Sequence, residues 1–320
     1  NYDYLADHAL AREGAAASTV LLQNNGMLPL NKQDKVAVIG LYAEKPRYQG
    51  GGSSHINAYR VDSLCDAIAK LSGNAPAYAP GYRILDKDYA SRYFTGEKAD
   101  VYTPDAEDKL LLDEAISLAA AADKVIVVAA LPDSYESEGY DRDDLSLPEN
   151  QLVLIDALLA ANANTAVALF HGSPVDLPFA DRAGAILSCS LGGEAVCGAL
   201  ADILYGKVNP SARLAETIPL RLCDTTAYLT YPGEHDQADY SEGLFVGYRY
   251  YDKREMAVRF PFGHGLSYTS FRYSDVRVER ERMRDDETNK VRFTVKNTGS
   301  RPGAEVCQLY VCDDQASVIR

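Results

Sequence analysis

Val125-Ile126-Val127-Val128-Ala129-Ala130 is an unbroken apolar run, β-branched in its first four residues. It lacks the two-residue alternation of a half-buried strand, so both faces of the strand it forms must be covered. Residues 106–122 before it and 149–162 after it carry helical spacing, the pattern of a strand joined to parallel neighbours by helical crossovers. The reading extends outward. Val36-Ala37-Val38-Ile39-Gly40 is a second buried strand closed by glycine, and residues 165–170 and 184–190 supply two more. A helix is expected over 3–22, with Leu5, Leu10, Val20 and Leu21 among its apolar positions and Gly26 and Pro29 ending it. Further helices are expected over 61–72, with Leu64, Ile68 and Leu71 on one side, and over 194–205, ended by Gly206. Pro76, Pro80 and Gly81 mark a loop. Alternating strands and helices predict an α/β class: a layered α/β sandwich with a mostly parallel sheet over residues 1–222.

The pattern then changes. Tyr, Pro and Gly accumulate over 223–266, which reads as a long ordered connection. Period-two alternation begins after residue 267, in Phe271, Tyr273, Val276, Val278 and then Val291, Phe293, Val295. Asn297-Thr298-Gly299 gives a turn, and Val306 to Val311 a further strand. This resembles the start of a β-sandwich, which needs about 100 residues, so 267–320 read as a truncated domain that stops at Arg320. The charge run from Glu279 through Asp285 to Glu287 reads as a solvated loop or strand edge.

The 320 residues are 47% hydrophobic and 24% charged, ordinary for a globular chain with a sizeable core. A net charge of -14 argues against nucleic acid and is compatible with a neutral substrate such as a sugar. No apolar run is long enough to span a bilayer, and Asn1-Tyr2-Asp3-Tyr4 does not open a signal peptide. Cys65, Cys189, Cys197, Cys223, Cys307 and Cys312 show neither CxxC nor paired-His spacing, so no metal is expected. They read as buried reduced thiols of a cytoplasmic protein. Trp is absent and Tyr numbers 22, which matters because sugar sites favour aromatic platforms.

Ligands of open parallel sheets gather at the carboxyl ends of the strands. Four loops qualify: Tyr48-Gln49-Gly50-Gly51-Gly52-Ser53-Ser54, Leu131 to Pro148, His171-Gly172-Ser173-Pro174, and Leu191-Gly192-Gly193-Glu194. The second is long and acidic, running Asp133-Ser134-Tyr135-Glu136-Ser137-Glu138-Gly139-Tyr140-Asp141-Arg142-Asp143-Asp144. Crowded carboxylates raise one another's pKa, and Arg142 is placed to lower one of them selectively, which separates an acid from a spectator. A solvated acidic loop is the plainer reading. Calcium fits poorly, since the sixth position is not Gly and no Glu closes the loop. The glycine run lacks the Lys of a phosphate-binding loop, and His171-Gly172-Ser173 lacks the GxSxG of a serine hydrolase. His264 reads as structural.

These segments together resemble the family 3 glycoside hydrolases, especially the β-glucosidases. The resemblance is carried in order by Ala9-Leu10-Ala11-Arg12-Glu13, Val20-Leu21-Leu22-Gln23-Asn24, Gly50-Gly51-Gly52-Ser53-Ser54, Glu138-Gly139-Tyr140-Asp141-Arg142, Asn209-Pro210-Ser211-Ala212-Arg213-Leu214, Glu242-Gly243-Leu244-Phe245 and Phe260-Pro261-Phe262-Gly263-His264-Gly265. It implies an N-terminal barrel, missing here, then the α/β sandwich, then a fibronectin-III-like domain to which 267–320 would belong. It implies an Asp nucleophile on the barrel, with none in this chain, and a Glu acid/base on a sandwich loop. The matching position is Glu138, with Glu136 as runner-up two residues away. Tyr140, Asp141, Arg142, Ser53 and Ser54 are expected to bind substrate or support the loop. No cofactor is implied. The expected partners are a β-glucoside and the barrel of the same enzyme, and a homo-oligomer is compatible. A β-xylosidase, an α-L-arabinofuranosidase and a non-catalytic carbohydrate-binding or scaffolding module are the competing readings.

Overall fold

The computed structural model describes residues 2–87, 89, 95, 102–284, 286–312 and 315. Helix α1 (Tyr4–Ser18) opens the chain, with Asp3 as its N-cap. The expected helix over 3–22 is too long. Thr19 ends it by donating both its backbone N–H (3.0 Å) and its hydroxyl (2.8 Å) to Ala15 O. Val20–Asn24 then form strand β1, antiparallel to β6. Val20, Leu21 and Leu22 are all buried, so β1 has no helical face to show. Leu5 and Leu10 stand exposed, and the core side of α1 is made by His8, Ala15 and Ala16.

Strand β2 (Val36–Ile39), helix α2 (Leu64–Ser72), strand β3 (Ala77–Ala79), helix α3 (Ala106–Ala120), strand β4 (Lys124–Ala130), helix α4 (Glu149–Ala161), strand β5 (Thr165–Phe170), strand β6 (Ala185–Ser188) and helix α5 (Val196–Leu204) follow. The sheet runs in the order β1-β6-β5-β4-β2-β3. All pairings are parallel except β1 with β6. β3 falls where a loop was expected. Its three residues sit between Pro76 and Pro80, a position that only a short edge strand tolerates. Helices α1 and α2 pack on α5, and α3 packs on α4, so the strands lie between two helical groups. Val125 to Ala130 are fully buried, the outcome expected of a run with no polar face.

Two details open the sheet's carboxyl edge. Gly40 ends β2 with φ 125, and a Cβ there would lie 2.3 Å from Val128 O, so only glycine turns the chain away at this point. β4 runs three residues beyond its last pairing with β2 at Val127. The backbone of Ala130 on the side β2 does not reach is instead satisfied by the Gln151 amide, which accepts from Ala130 N (2.8 Å) and donates to Ala130 O (2.9 Å). This buried clamp replaces the missing neighbour strand and leaves a notch beside the end of β4.

The segment 223–266 is made of turns, with a short helix α6 (Tyr248–Arg254) that the sequence reading did not anticipate. Strands β7 (Phe271–Val278) and β8 (Val291–Asn297) form a second, antiparallel sheet. The strand expected over Val306 to Val311 is not formed. No ladder partner meets it among the described residues, and Val306, Leu309 and Val311 are exposed. Asp285, within the expected charge run, and Arg320 lie outside the described residues. The second sheet is tied to the sandwich by Arg213 with Glu305, and by Tyr268, whose hydroxyl donates to Ile203 O at 3.1 Å. Among the described residues no helix is long and apolar enough to cross a membrane. Cys189 and Cys197 are buried as expected, but Cys223, Cys307 and Cys312 are exposed, because they sit in the turn-rich and C-terminal segments rather than in the sheet.

Candidate active site

The four loops selected from the sequence meet. Gly50, Gly51 and Ser54 from the loop after β2, Glu136 to Glu138 and Tyr140 to Arg142 from the loop after β4, Gly172 and Ser173 after β5, and Leu191 after β6 line one cleft of about 330 Å³. Because β2, β4, β5 and β6 are parallel, their carboxyl ends share one edge.

Glu136 and Glu138 are two residues apart but differently used. Glu136 is largely buried. It accepts from Gly172 N (2.8 Å), Ser173 N (2.8 Å) and Ser173 Oγ (2.6 Å). Its carboxylate therefore fastens the β4 loop to the β5 loop. Glu138 lies exposed at the cleft and is gripped by Ser53, whose hydroxyl sits 2.7 Å from both carboxylate oxygens and whose N–H is 3.3 Å from Oε2. These bonds favour the anion, the hydroxyl most and the backbone N–H next, and hold Glu138 below the usual carboxylate range. Gly52, at φ 73 in the 3-10 turn Gly52–Ser54, lets the backbone pass this closely, as a Cβ there would lie 3.3 Å from Glu138 Oε2. Gly139, at φ 90, turns the chain immediately after Glu138.

The other expected site residues support the loops. Ser54 closes its own turn through Oγ to Gly51 O (3.0 Å) and lines the cleft without reaching Glu138. Tyr140 folds the acidic loop back by donating to Ser134 O at 3.1 Å. Asp141 accepts from the Tyr231 hydroxyl, which brings the 223–266 segment onto the loop. Among the described residues the donors of Arg142 are directed to the β5 loop. It donates to Ser173 Oγ (2.8 Å) and Pro174 O (3.0 Å), because the loop turns it toward the β5 side of the cleft.

The cation that meets the acidic loop is Arg47, which the sequence reading passed over. Its guanidinium is buried and pairs with Asp133 (Nε to Oδ1, 2.7 Å) and Glu136 (3.7 Å). An arginine one residue ahead of the first of the four loops, in a chain whose second loop is dense in carboxylates, was the available signal. Tyr231 had no signal in the sequence.

The histidines take structural places. His171 donates from Nδ1 to Ser173 O (2.8 Å) while Nε2 accepts from Ser188 Oγ (3.0 Å), and burial pushes its pKa down, so the ring is neutral. Ser173 Oγ is turned to Glu136 and not to the imidazole, so Ser173 and His171 do not form a nucleophile–base pair. His264 bonds Leu22 O through Nε2 (2.8 Å) and stacks on Phe260 with ring centroids 4.8 Å apart.

Comparison with known proteins places this arrangement. The Glycosyl hydrolase family 3 C-terminal domain matches residues 19–268. Thermostable beta-glucosidase B of Acetivibrio thermocellus is 46% identical over 322 residues, spanning 100% of this chain and 40% of its own length. An Exo-alpha-(1->6)-L-arabinopyranosidase of Bifidobacterium longum is 39% identical over 330 residues, spanning 100% of this chain and 41% of its own. The crystal structure of a GH3 beta-glucosidase from Bifidobacterium adolescentis superposes with a TM-score of 0.81 at 40% identity, over 93% of this chain and 41% of that one. The chain thus spans about two fifths of the length of the relatives it matches. With the sheet order, the four-loop cleft and these matches in agreement, the chain belongs to glycosyl hydrolase family 3, as its C-terminal domain.

Proposed function

We propose that this chain supplies the general acid/base of a retaining, exo-acting β-glucosidase that releases terminal β-D-glucosyl residues. Glu138 is that group, and an N-terminal barrel of the same enzyme carries the Asp nucleophile. The observation that carries the reading is the contrast between the two loop carboxylates. Glu136 has its oxygens filled by three donors from the β5 loop, whereas Glu138 faces the cleft with one gripping residue. In the first step the barrel Asp attacks the anomeric carbon and protonated Glu138 gives its proton to the leaving oxygen. In the second, Glu138 takes a proton from water as that water releases the sugar. Retention requires the two carboxyl groups about 5–5.5 Å apart, so the acidic loop must reach the mouth of the barrel.

Ser53 favours the anionic form of Glu138. A second carboxylate at the retaining distance acts the other way and favours the proton. The barrel thus makes Glu138 an acid, and esterification of its Asp removes that charge and returns Glu138 to the base that Ser53 supports.

Glu138→Ala in the full-length polypeptide, assayed on an activated aryl β-glucoside with and without azide, is the test. Azide rescue with formation of β-glucosyl azide supports the assignment. Wild-type rates and no azide effect would overturn it, with Glu136 next in line, and would leave a non-catalytic carbohydrate-binding role. The relative named as an arabinopyranosidase favours a second reading, hydrolysis of a pentoside, alongside a β-xylosidase or α-L-arabinofuranosidase. A panel of aryl glycosides separates these. Residues 1–222 as the sandwich, 223–266 as the connection and 267–320 as part of a fibronectin-III-like domain are proposed on the change of sheet type. The exposed thiols of Cys223, Cys307 and Cys312 favour a reducing compartment such as the cytoplasm.

A further inference from the structure

The proton donor touches Ser53, but nothing in Ser53 itself fixes where the glycine loop lies against the acidic loop. That relation is set one layer deeper. Arg47 precedes the glycine run, and its side chain is only 5% exposed. Its Nε donates to Gln49 O in its own loop at 2.9 Å, one terminal nitrogen donates to Leu131 O where β4 ends, and the other donates to Glu136 O at 3.3 Å. The same group is paired with the carboxylates of Asp133 and Glu136. One planar cation therefore joins the two loops that carry Ser53 and Glu138. The backbones are in contact as a result: a Cβ on Gly51 would fall 2.8 Å from Glu136 O.

We infer that Arg47 is a positioning residue for the proton donor, acting through the backbones of the glycine loop and the Glu136 segment to hold Ser53 and Glu138 in register. This rests on the reading of Glu138 as acid/base. Among the described residues no hydrogen bond or ion pair joins Arg47 to Glu138, so its action is indirect. Three carbonyls lying in different directions need the fixed fork of a guanidinium. A lysine ammonium keeps the charge but is a single point on a flexible stem and cannot reach all three at once.

The test uses the full-length polypeptide and two β-glucosides that share the sugar and differ in leaving group. 2,4-Dinitrophenolate departs without a proton, and the glucose leaving group of cellobiose needs one. Arg47→Lys is the primary variant because it retains the buried charge, with Arg47→Ala beside it and a thermal melt of each. The expected result is a fall in kcat/KM of roughly a hundredfold on cellobiose, the scale of a lost general acid, with the dinitrophenyl glucoside nearly unchanged. The limb of the kcat/KM–pH profile that reports the acid should also move. A fall by the same factor on both substrates, or no fall on either, would overturn the inference, since a role in folding alone does not sense the leaving group. Glu138→Gln in the same assay separates the two assignments. If it spares the dinitrophenyl glucoside and Arg47→Lys does not, only the role of Arg47 fails. If Glu138→Gln also falls equally on both, both assignments fail together.

Discussion

Ser53 holds Glu138 with its hydroxyl 2.7 Å from each carboxylate oxygen, so the group proposed to move a proton is fixed by a residue from a different loop. Removing that hydroxyl should raise the carboxyl pKa toward the ordinary glutamate value of about 4.3. The sign follows from the bond favouring the anion in the folded chain. The link contributes above the unfolded carboxyl's pKa and is lost as pH falls through the lower folded one. Carbon-13 NMR titration of the isolated chain, wild type against Ser53→Ala, measures this. An unchanged or lower midpoint in the variant would contradict it.

Glu136→Ala should destabilise the chain by roughly 1–3 kcal/mol, because the N–H groups of Gly172 and Ser173 lose their acceptor. In the complete enzyme the same change should lower activity without azide rescue, unlike Glu138→Ala. Urea unfolding checks the first statement and the azide assay the second.

Gly40→Ala should be among the most damaging single substitutions in the sheet. The left-handed backbone and the 2.3 Å approach to Val128 O leave no room for a methyl group, and a loss of at least about 2 kcal/mol is expected. Thermal unfolding with Gly73→Ala as comparison is informative. Gly73 also has positive φ but has no atom within 4 Å of its would-be Cβ, so it reports backbone strain alone.

His171 is buried and neutral, with its pKa lowered by desolvation. Above the unfolded value of about 6.5 neither state is protonated, and below it the unfolded chain takes up the proton more readily. Stability should therefore fall as pH drops through that value. Unfolding free energies at pH 7.5 and 5.5 should differ more for the wild type than for His171→Gln. Equal pH dependence in the two would remove His171 from the account.

The 320-residue chain purified alone is expected not to hydrolyse an aryl β-glucoside, since no residue in it is assigned as nucleophile. Turnover by this chain that survives repeated purification would overturn the division of roles.

The sheet was largely legible because its strands are buried on both faces. Val125 to Ala130 have one reading, and the parallel order follows from the helices between strands. β1 was not legible, since Val20-Leu21-Leu22 continues an apolar helix without a Gly or Pro, and only Thr19 bonding back to Ala15 marks the end. β3 was hidden by the prolines that make it an edge. The four loops of the cleft were found from strand direction alone. Which carboxylate is bound and which is offered was not, because Glu136 and Glu138 differ only in what other loops bring to them. Arg47 escaped for the same reason: its guanidinium is held by groups up to 89 positions away in the chain.

The fastening of Glu136 has a mechanical consequence. Glu138 sits two residues beyond an immobilised point, and an extended backbone covers about 7 Å in that span. Gly139 bends the chain directly afterwards. Glu138 thus follows a fixed point at short reach, with a glycine bend directly behind it. On the proposed assignment, a barrel carrying the nucleophile would meet a carboxylate whose tolerance of misplacement is limited to the few ångströms between the Glu136 anchor and Glu138. Lengthening or shortening the chain between Glu136 and Glu138 by one residue would retune that tolerance without touching the sheet.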